Sequence, residues 1–437
     1  STTDPSLRFV MASVGRILAV AKRKAIVPRR AFSALVSLAH EFPDLPATSP
    51  EPSKAGTATV STLSNGATLI TEDASSTTTV TVTFPGGGSV NEALGEAGAA
   101  LVNESLAFYS GSGLSTILIY RTLEDEGAIP FSSAGRFGAT VGFTSAPEKA
   151  LHLIPLLATE CSFERWDVRD AKKFAGVKVE EANSNAQVVL TESLYGAAYG
   201  PQSPAGKPFY FDGTSTEGIM AFRDRGYVLN GSVITATGVK DHSTFASSVE
   251  ERLADSRIGS KPETVSPTYT GGETRVHAPS TGFANVAIAF PAPPSSALAS
   301  VIKQCFILSG VDAFSSSGMV GVYGGASAIE AAGLVDALCA SLTTKPSADI
   351  VARAKGLAKA EYLFGLEDGS KSLAEAMTAS FMESGSFSAA ATSAELDAIT
   401  ESQVSSAVGA MLKNNPAVAA VGDITGVPYH ATIASRF

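Results

Sequence analysis

Two strands of the same design lie some 200 residues apart, and they constrain this chain more than anything else in it. Residues 78–84 are β-branched almost throughout and are stopped by Pro85-Gly86-Gly87-Gly88; residues 284–290 are apolar and are stopped by Pro291, Pro293 and Pro294. Branching at Cβ stiffens a side chain and favours extended backbone, while proline cannot donate to a sheet ladder. Each strand therefore has a fixed end. A helix of small residues is expected after each, over residues 92–108 and 296–308, and further strands are expected near 117–121, 137–143 and 320–323. Helices are expected at 150–161, 166–198, 329–341 and 348–364, with a Pro/Gly-rich loop at 200–213. Ser64-Asn65-Gly66 between two apolar runs signals a hairpin joining residues 58–63 to 67–71, and residues 274–277 read as one more strand. The recurrence predicts an α+β chain built by internal duplication: two structurally similar halves, each a mainly antiparallel sheet with helices packed on one side. The expected boundaries are 56–262 and 276–437, joined by 263–275.

The length of 437 residues exceeds what one core usually serves. Residues 1–55 stand apart as a basic extension and Pro-rich linker. Seven Lys and Arg against one acid fall within residues 1–40, leaving 25 basic and 41 acidic groups in the rest, a net of −16. The basic segment has the composition of a mitochondrial transit peptide, the alternative being a solvated basic arm. The acidic body excludes a nucleic-acid binder, which needs clustered positive charge for phosphates. No run of 18 apolar residues is present to span a membrane. Three cysteines (Cys161, Cys305, Cys339) are too few and too scattered for a disulfide framework or a zinc knuckle. The five histidines have no local metal-ligand spacing. The single tryptophan, Trp166, is expected to pack at a helix start.

A set of short motifs, each weak alone, follows a fixed order over nearly 380 residues. Leu63-Ser64-Asn65-Gly66 opens it, then Phe84-Pro85-Gly86-Gly87-Gly88-Ser89-Val90-Asn91-Glu92, then Gly98 to Phe108. Arg165-Trp166-Asp167-Val168, Ala197-Ala198-Tyr199 and Pro204-Ala205-Gly206-Lys207-Pro208 continue it. In the second half come Tyr269-Thr270-Gly271-Gly272-Glu273-Thr274-Arg275, Ser315-Ser316-Ser317-Gly318-Met319-Val320-Gly321-Val322-Tyr323, Ala354-Lys355 and Leu366-Glu367-Asp368. In this order they resemble the mitochondrial processing peptidase family, the pitrilysin-type metallopeptidases and their inactive relatives.

Active members of that family carry H-x-x-E-H on one helix and a distal glutamate. Histidines at i and i+4 share a helix face and hold one zinc, and the glutamate between them polarises its water. The resemblance places Leu101 at the first histidine, Glu104 at the base, Ser105 at the second histidine, and Glu180 or Glu181 at the distal acid. Leucine cannot ligate zinc and serine is a poor ligand, so the expectation is a degenerate centre with no catalytic residue, metal or cofactor of its own. The chain also runs from Leu308-Ser309-Gly310 almost directly into Val311-Asp312-Ala313-Phe314, where the non-catalytic processing subunit carries a long glycine-rich loop.

The resemblance then implies a structural core subunit of respiratory complex III, peripheral on the matrix side of the mitochondrial inner membrane. Its implied partners are a core 1-like subunit, a second copy of itself in a dimeric complex, and the cytochrome b, cytochrome c-type and Rieske subunits. Haem and iron–sulfur cluster are expected in those partners. The rival is the substrate-recognising subunit of the processing peptidase.

Overall fold

The computed structural model describes residues 56–437 except 111–113, 159–162, 264, 266, 279–281 and 317. Residues 1–55, with the expected transit-peptide-like segment, and Cys161 lie outside the described residues. The first half contains β1 (Ala58–Thr62), β2 (Thr68–Glu72), β3 (Thr78–Phe84), α1 (Ala99–Ser105), α2 (Thr116–Asp125), β4 (Ile129–Ala134) and β5 (Ala139–Ser145). It continues with α3 (Pro147–Leu153), α4 (Pro155–Ala158), α5 (Arg165–Ser184), α6 (Ala186–Tyr199), α7 (Thr216–Gly226), β6 (Val233–Ala236) and α8 (His242–Arg252). The second half contains β7 (Gly272–His277), β8 (Phe283–Pro291), α9 (Ser296–Leu308), β9 (Asp312–Ser316), β10 (Met319–Ser327) and α10 (Ala331–Thr343). It ends with α11 (Ala348–Glu367), α12 (Ser370–Ser384), α13 (Ala389–Ala398), α14 (Glu401–Met411), β11 (Ala417–Gly422) and α15 (His430–Ala434).

The first sheet has the order β1-β2-β6-β3-β5-β4 and the second β7-β11-β8-β10-β9. Set β1 aside and the two are identical in order. Directions match too: β2 with β6 and β7 with β11 are parallel, and every other pairing is antiparallel. The two proline-stopped strands, β3 and β8, therefore hold the same central place in their sheets.

The opening hairpin forms as its sequence dictates. Gly66 takes φ 81, a left-handed conformation open to glycine, and the Asn65 side chain accepts from the Ala67 N–H at 3.0 Å. Elsewhere the boundaries move. The helix expected over 92–108 is only α1, because Gly95 and Gly98 both stand at positive φ and interrupt the lead-in. Residues 117–121 form helix rather than strand. Ser115 caps α2 by accepting from the Leu118 N–H, and Ile119 and Leu123, one turn apart, bury the helical stripe. The helix expected from 150 splits into α3 and α4 at Pro155. The long helix from 166 breaks at Asn185, whose extended backbone ends α5 and whose side chain caps α6. Trp166 sits at the helix start but is 57% exposed rather than packed. The elements β4, α7, β6, α8, β9, α12, α13, α14, β11 and α15 were not foreseen.

Each sheet is covered on one face by helices of its own half: Val80, Val82, Val141, Phe143 and Ile234 pack with Ile119, Leu123, Leu153 and Val249. The same holds for Val286, Ile288, Phe290, Val320 and Val418 with Val301, Val335, Ala354 and Val404. The opposite face receives a helix from the other half. Helix α6 lays Leu190, Leu194, Ala197 and Ala198 on Ala287, Ala289, Ala417 and Ala419 of the second sheet. Helix α12 lays Met377 against Ile70 and Val233 of the first. The two buried inner faces differ in chemistry. The second is mostly alanine, flanked by Met319 and Val421, which lets α6 approach closely. The first is threonine-rich around Ile70 and Val233: Thr79 bonds Thr144 at 2.8 Å and Ser370 at 2.7 Å, Thr83 bonds Thr140 at 2.9 Å, and Thr235 bonds Thr378 at 2.7 Å.

Candidate functional site

Helix α1 is short, and its position is fixed from three sides. Gly98 at its N-terminus takes φ 86, and a Cβ there would run into the Phe211 carbonyl. The Glu92 carboxylate accepts from the N–H groups of Gly98 at 3.1 Å and Ala100 at 2.9 Å, donors that a helix start leaves free. The apolar face, with Ala100, Leu101 and Val102, packs on Val168, Ala171 and Ala175 of α5 and on Ile219 and Phe222 of α7.

Burial pushes the Glu92 carboxyl up from 4.5 to about 7, against the opposing pull of the Ala100 and Gly98 N–H groups and Lys207. An acid whose pKa is raised by folding binds its proton more tightly in the native state. Its contribution to stability is full below the unfolded value of 4.5 and is lost as pH rises towards 7. Urea unfolding at stepped pH is expected to give Glu92→Gln a flatter stability profile than the parent between these values. The difference should reach on the order of 2 kcal/mol, and identical slopes would contradict the assignment.

A cleft of about 380 Å³ opens beside α1. Leu101 and Glu104 line it from α1, Ala134 from β4, and Lys178, Glu181 and Ala182 from α5, with Asn185, Val188, Phe209 and Tyr210 completing the wall. The structure thus gathers three of the four positions singled out in the sequence. Glu181, not Glu180, is the distal acid in the cleft. The fourth position, Ser105, does not line it: its Oγ is buried and without a hydrogen-bond partner. An orphaned hydroxyl costs about 1–3 kcal/mol. Ser105→Ala is therefore expected to leave stability unchanged or raise it by about 1 kcal/mol, read from the midpoint of urea unfolding; a clear loss would mean that the hydroxyl is satisfied.

The residue that sequence reasoning missed is Lys178. Its Nζ lies 3.0 Å from Glu104 Oε1, with side-chain exposures of 39% and 16%. Lys178 precedes Glu181 by three positions on α5, a spacing that puts both on one helix face and could have flagged it.

The donor set does not fit a catalytic zinc. Leu101 offers no lone pair, the Ser105 hydroxyl is turned away from the cleft, and the one carboxylate of α1 is held by an ammonium. Among the described residues no group of three or more His, Cys, Asp or Glu side chains is placed to hold a metal ion.

The wall of the cleft is braced from behind by Arg136. Its guanidinium donates to the Lys207 carbonyl at 2.6 Å and to Glu192 Oε1 at 2.8 Å, and it lies 4.2 Å over the Tyr195 ring. Glu192 Oε2 in turn accepts from the Phe209 N–H at 2.7 Å, tying the loop that carries Phe209 and Tyr210 to α6.

No family model matches the chain. An Arabidopsis thaliana protein named probable mitochondrial-processing peptidase subunit alpha-2, chloroplastic/mitochondrial, is 27% identical over 282 residues, which cover 61% of this chain and 54% of that protein. The mitochondrial-processing peptidase subunit alpha of Solanum tuberosum is 25% identical over 241 residues, covering 54% of this chain and 47% of that one. The chain spans about half the length of the curated relatives it matches. A chain of complex III2 from Candida albicans, solved with Inz-5 bound, superposes with a TM-score of 0.75 at 19% identity, covering 87% of this chain and 99% of that chain. The α+β fold of two like halves is therefore the fold of that complex III2 chain.

Proposed function

We propose that this chain is a non-catalytic core subunit, core 2-like, of mitochondrial respiratory complex III, scaffolding the dimeric complex on the matrix side of the inner membrane. The observation that carries the reading is the extent of the likeness to the complex III2 chain, which is matched over nearly its whole length. The residues of the cleft support it: Leu101 and Ser105 stand at the histidine positions, and Glu104 is engaged by Lys178. The two halves serve on this reading as one scaffold, the second opening with β7 at Gly272, inside the expected linker 263–275. Its partners are a core 1-like subunit, a second copy of the chain, and the cytochrome b, cytochrome c-type and Rieske subunits, which carry the haem and the iron–sulfur cluster. Among the described residues no helix is long and apolar enough to cross a membrane, and a peripheral subunit needs none.

The rival reading, a substrate-recognising subunit of the processing peptidase, draws on the two alpha-subunit relatives. Against it stands the junction between α9 and β9, which is only Ser309, Gly310 and Val311. No glycine-rich loop fits there. Purification of the tagged chain from mitochondria separates the two. Recovery in a haem-containing membrane complex is the expected result; recovery in a soluble pair with a zinc-containing peptidase subunit would overturn the proposal. The isolated chain is also expected to hold no stoichiometric zinc by metal analysis and to leave a presequence peptide uncut.

A further inference from the structure

We propose that Lys178 takes the place of the metal cation, so that the degenerate centre is a metal-excluding ion pair rather than a merely vacated zinc site. The inference rests on the non-catalytic reading above and adds a cause to it. Glu104 is largely withdrawn from water, and Glu181 faces the same cleft from the neighbouring helix. A carboxylate so withdrawn from water needs a positive partner, because an unpaired buried charge is strongly disfavoured, whereas the exposed Glu181 does not. In a metallopeptidase that charge comes from a dication. Here the Lys178 ammonium reaches Glu104 Oε1 at 3.0 Å from a position one turn before Glu181 on α5. A dication entering the cleft would meet this ammonium at close range, where repulsion is severe even with solvent screening. The absence of the histidines and the presence of the lysine are separable features, and either alone would bar zinc.

The test uses the full chain and zinc itself as the probe. Leu101→His/Ser105→His restores both imidazoles and keeps the lysine; it is expected to bind zinc no better than the parent. Adding Lys178→Ala is expected to tighten zinc binding at least about tenfold, while adding Lys178→Arg instead should not. Equal affinity with and without the lysine would overturn this inference and leave the proposed function untouched. Stoichiometric zinc on the unaltered chain would overturn both. Leu101 is buried, and the histidine variants must first melt cooperatively. A second measurement avoids them: acetylation of Lys178, followed by peptide mass mapping, in the parent and in Glu104→Gln. Release from its carboxylate frees the amine, and at least about threefold faster modification is expected. An unchanged rate would mean that the pair does not hold Lys178, and the inference would fall.

Discussion

Replacing Arg136 with methionine is expected to destabilise the folded chain by about 3–5 kcal/mol. Arg136 is 8% exposed and serves three partners at once: the Lys207 carbonyl, Glu192 and the face of Tyr195. Methionine keeps most of the stem and its packing but leaves the Glu192 carboxylate largely buried with only the Phe209 N–H to answer it. The penalty comes chiefly from that stranded charge. Arg136→Met/Glu192→Gln should accordingly recover part of the loss in denaturant unfolding, with a coupling above about 1 kcal/mol between the two sites. If Arg136→Met alone costs less than about 1 kcal/mol, the network is no stronger than an exposed ion pair.

A larger effect is expected where α6 meets the second sheet. Ala419 lies at the centre of β11, fully buried, opposite Ala287 on β8 and beneath α6. Aspartate at this position would put an unpaired carboxylate into a wall of methyl groups, at a cost above about 4 kcal/mol. Set against a total stability of about 5–15 kcal/mol, this should remove a large share of the margin and lower the unfolding midpoint sharply. Ala419→Val separates charge from bulk: overpacking alone should cost about 1–3 kcal/mol. Soluble yield and unfolding midpoints for the two variants decide the matter. An Ala419→Asp chain no less stable than Ala419→Val would mean that α6 does not seat on this face.

Much of the sheet framework was legible because β-branching and proline act locally. Thr78–Phe84 and Ser296–Leu308 stand where the sequence puts them. The failures are also physical. Ile117-Leu118-Ile119 looks like a strand by composition, yet the capping serine and the spacing of Ile119 and Leu123 win. Strand β6 is only four residues, all buried, so it shows neither alternation nor length. In the cleft, Leu101, Glu104 and Glu181 were legible because they follow a motif. Lys178 was not: among Lys172, Lys173, Glu180 and Glu181 it reads as one more charge on a solvated helix. Only the packing of α5 against α1 turns it inward. The burial of the Ser105 hydroxyl could not be read either, since it depends on what packs over that part of α1, a tertiary contact.

The exchange of helices between halves bears on how the chain reaches its native state. Synthesis runs from the N-terminus, so the first sheet emerges long before α12, the helix that closes its inner face. During that interval the face is rich in threonine, which water can satisfy, and a growing chain with a wettable open sheet is less prone to stick to its neighbours. The second sheet is under no such constraint: α6 is already made when β8 and β11 arrive, and the waiting helix can cover an apolar alanine face at once. Its strand β11, which pairs with both β7 and β8, is the last of its five strands to be made. Closure of each half is thus a late event, and a pause between β6 and α12 would leave the first sheet complete in its strands but open on its inner face.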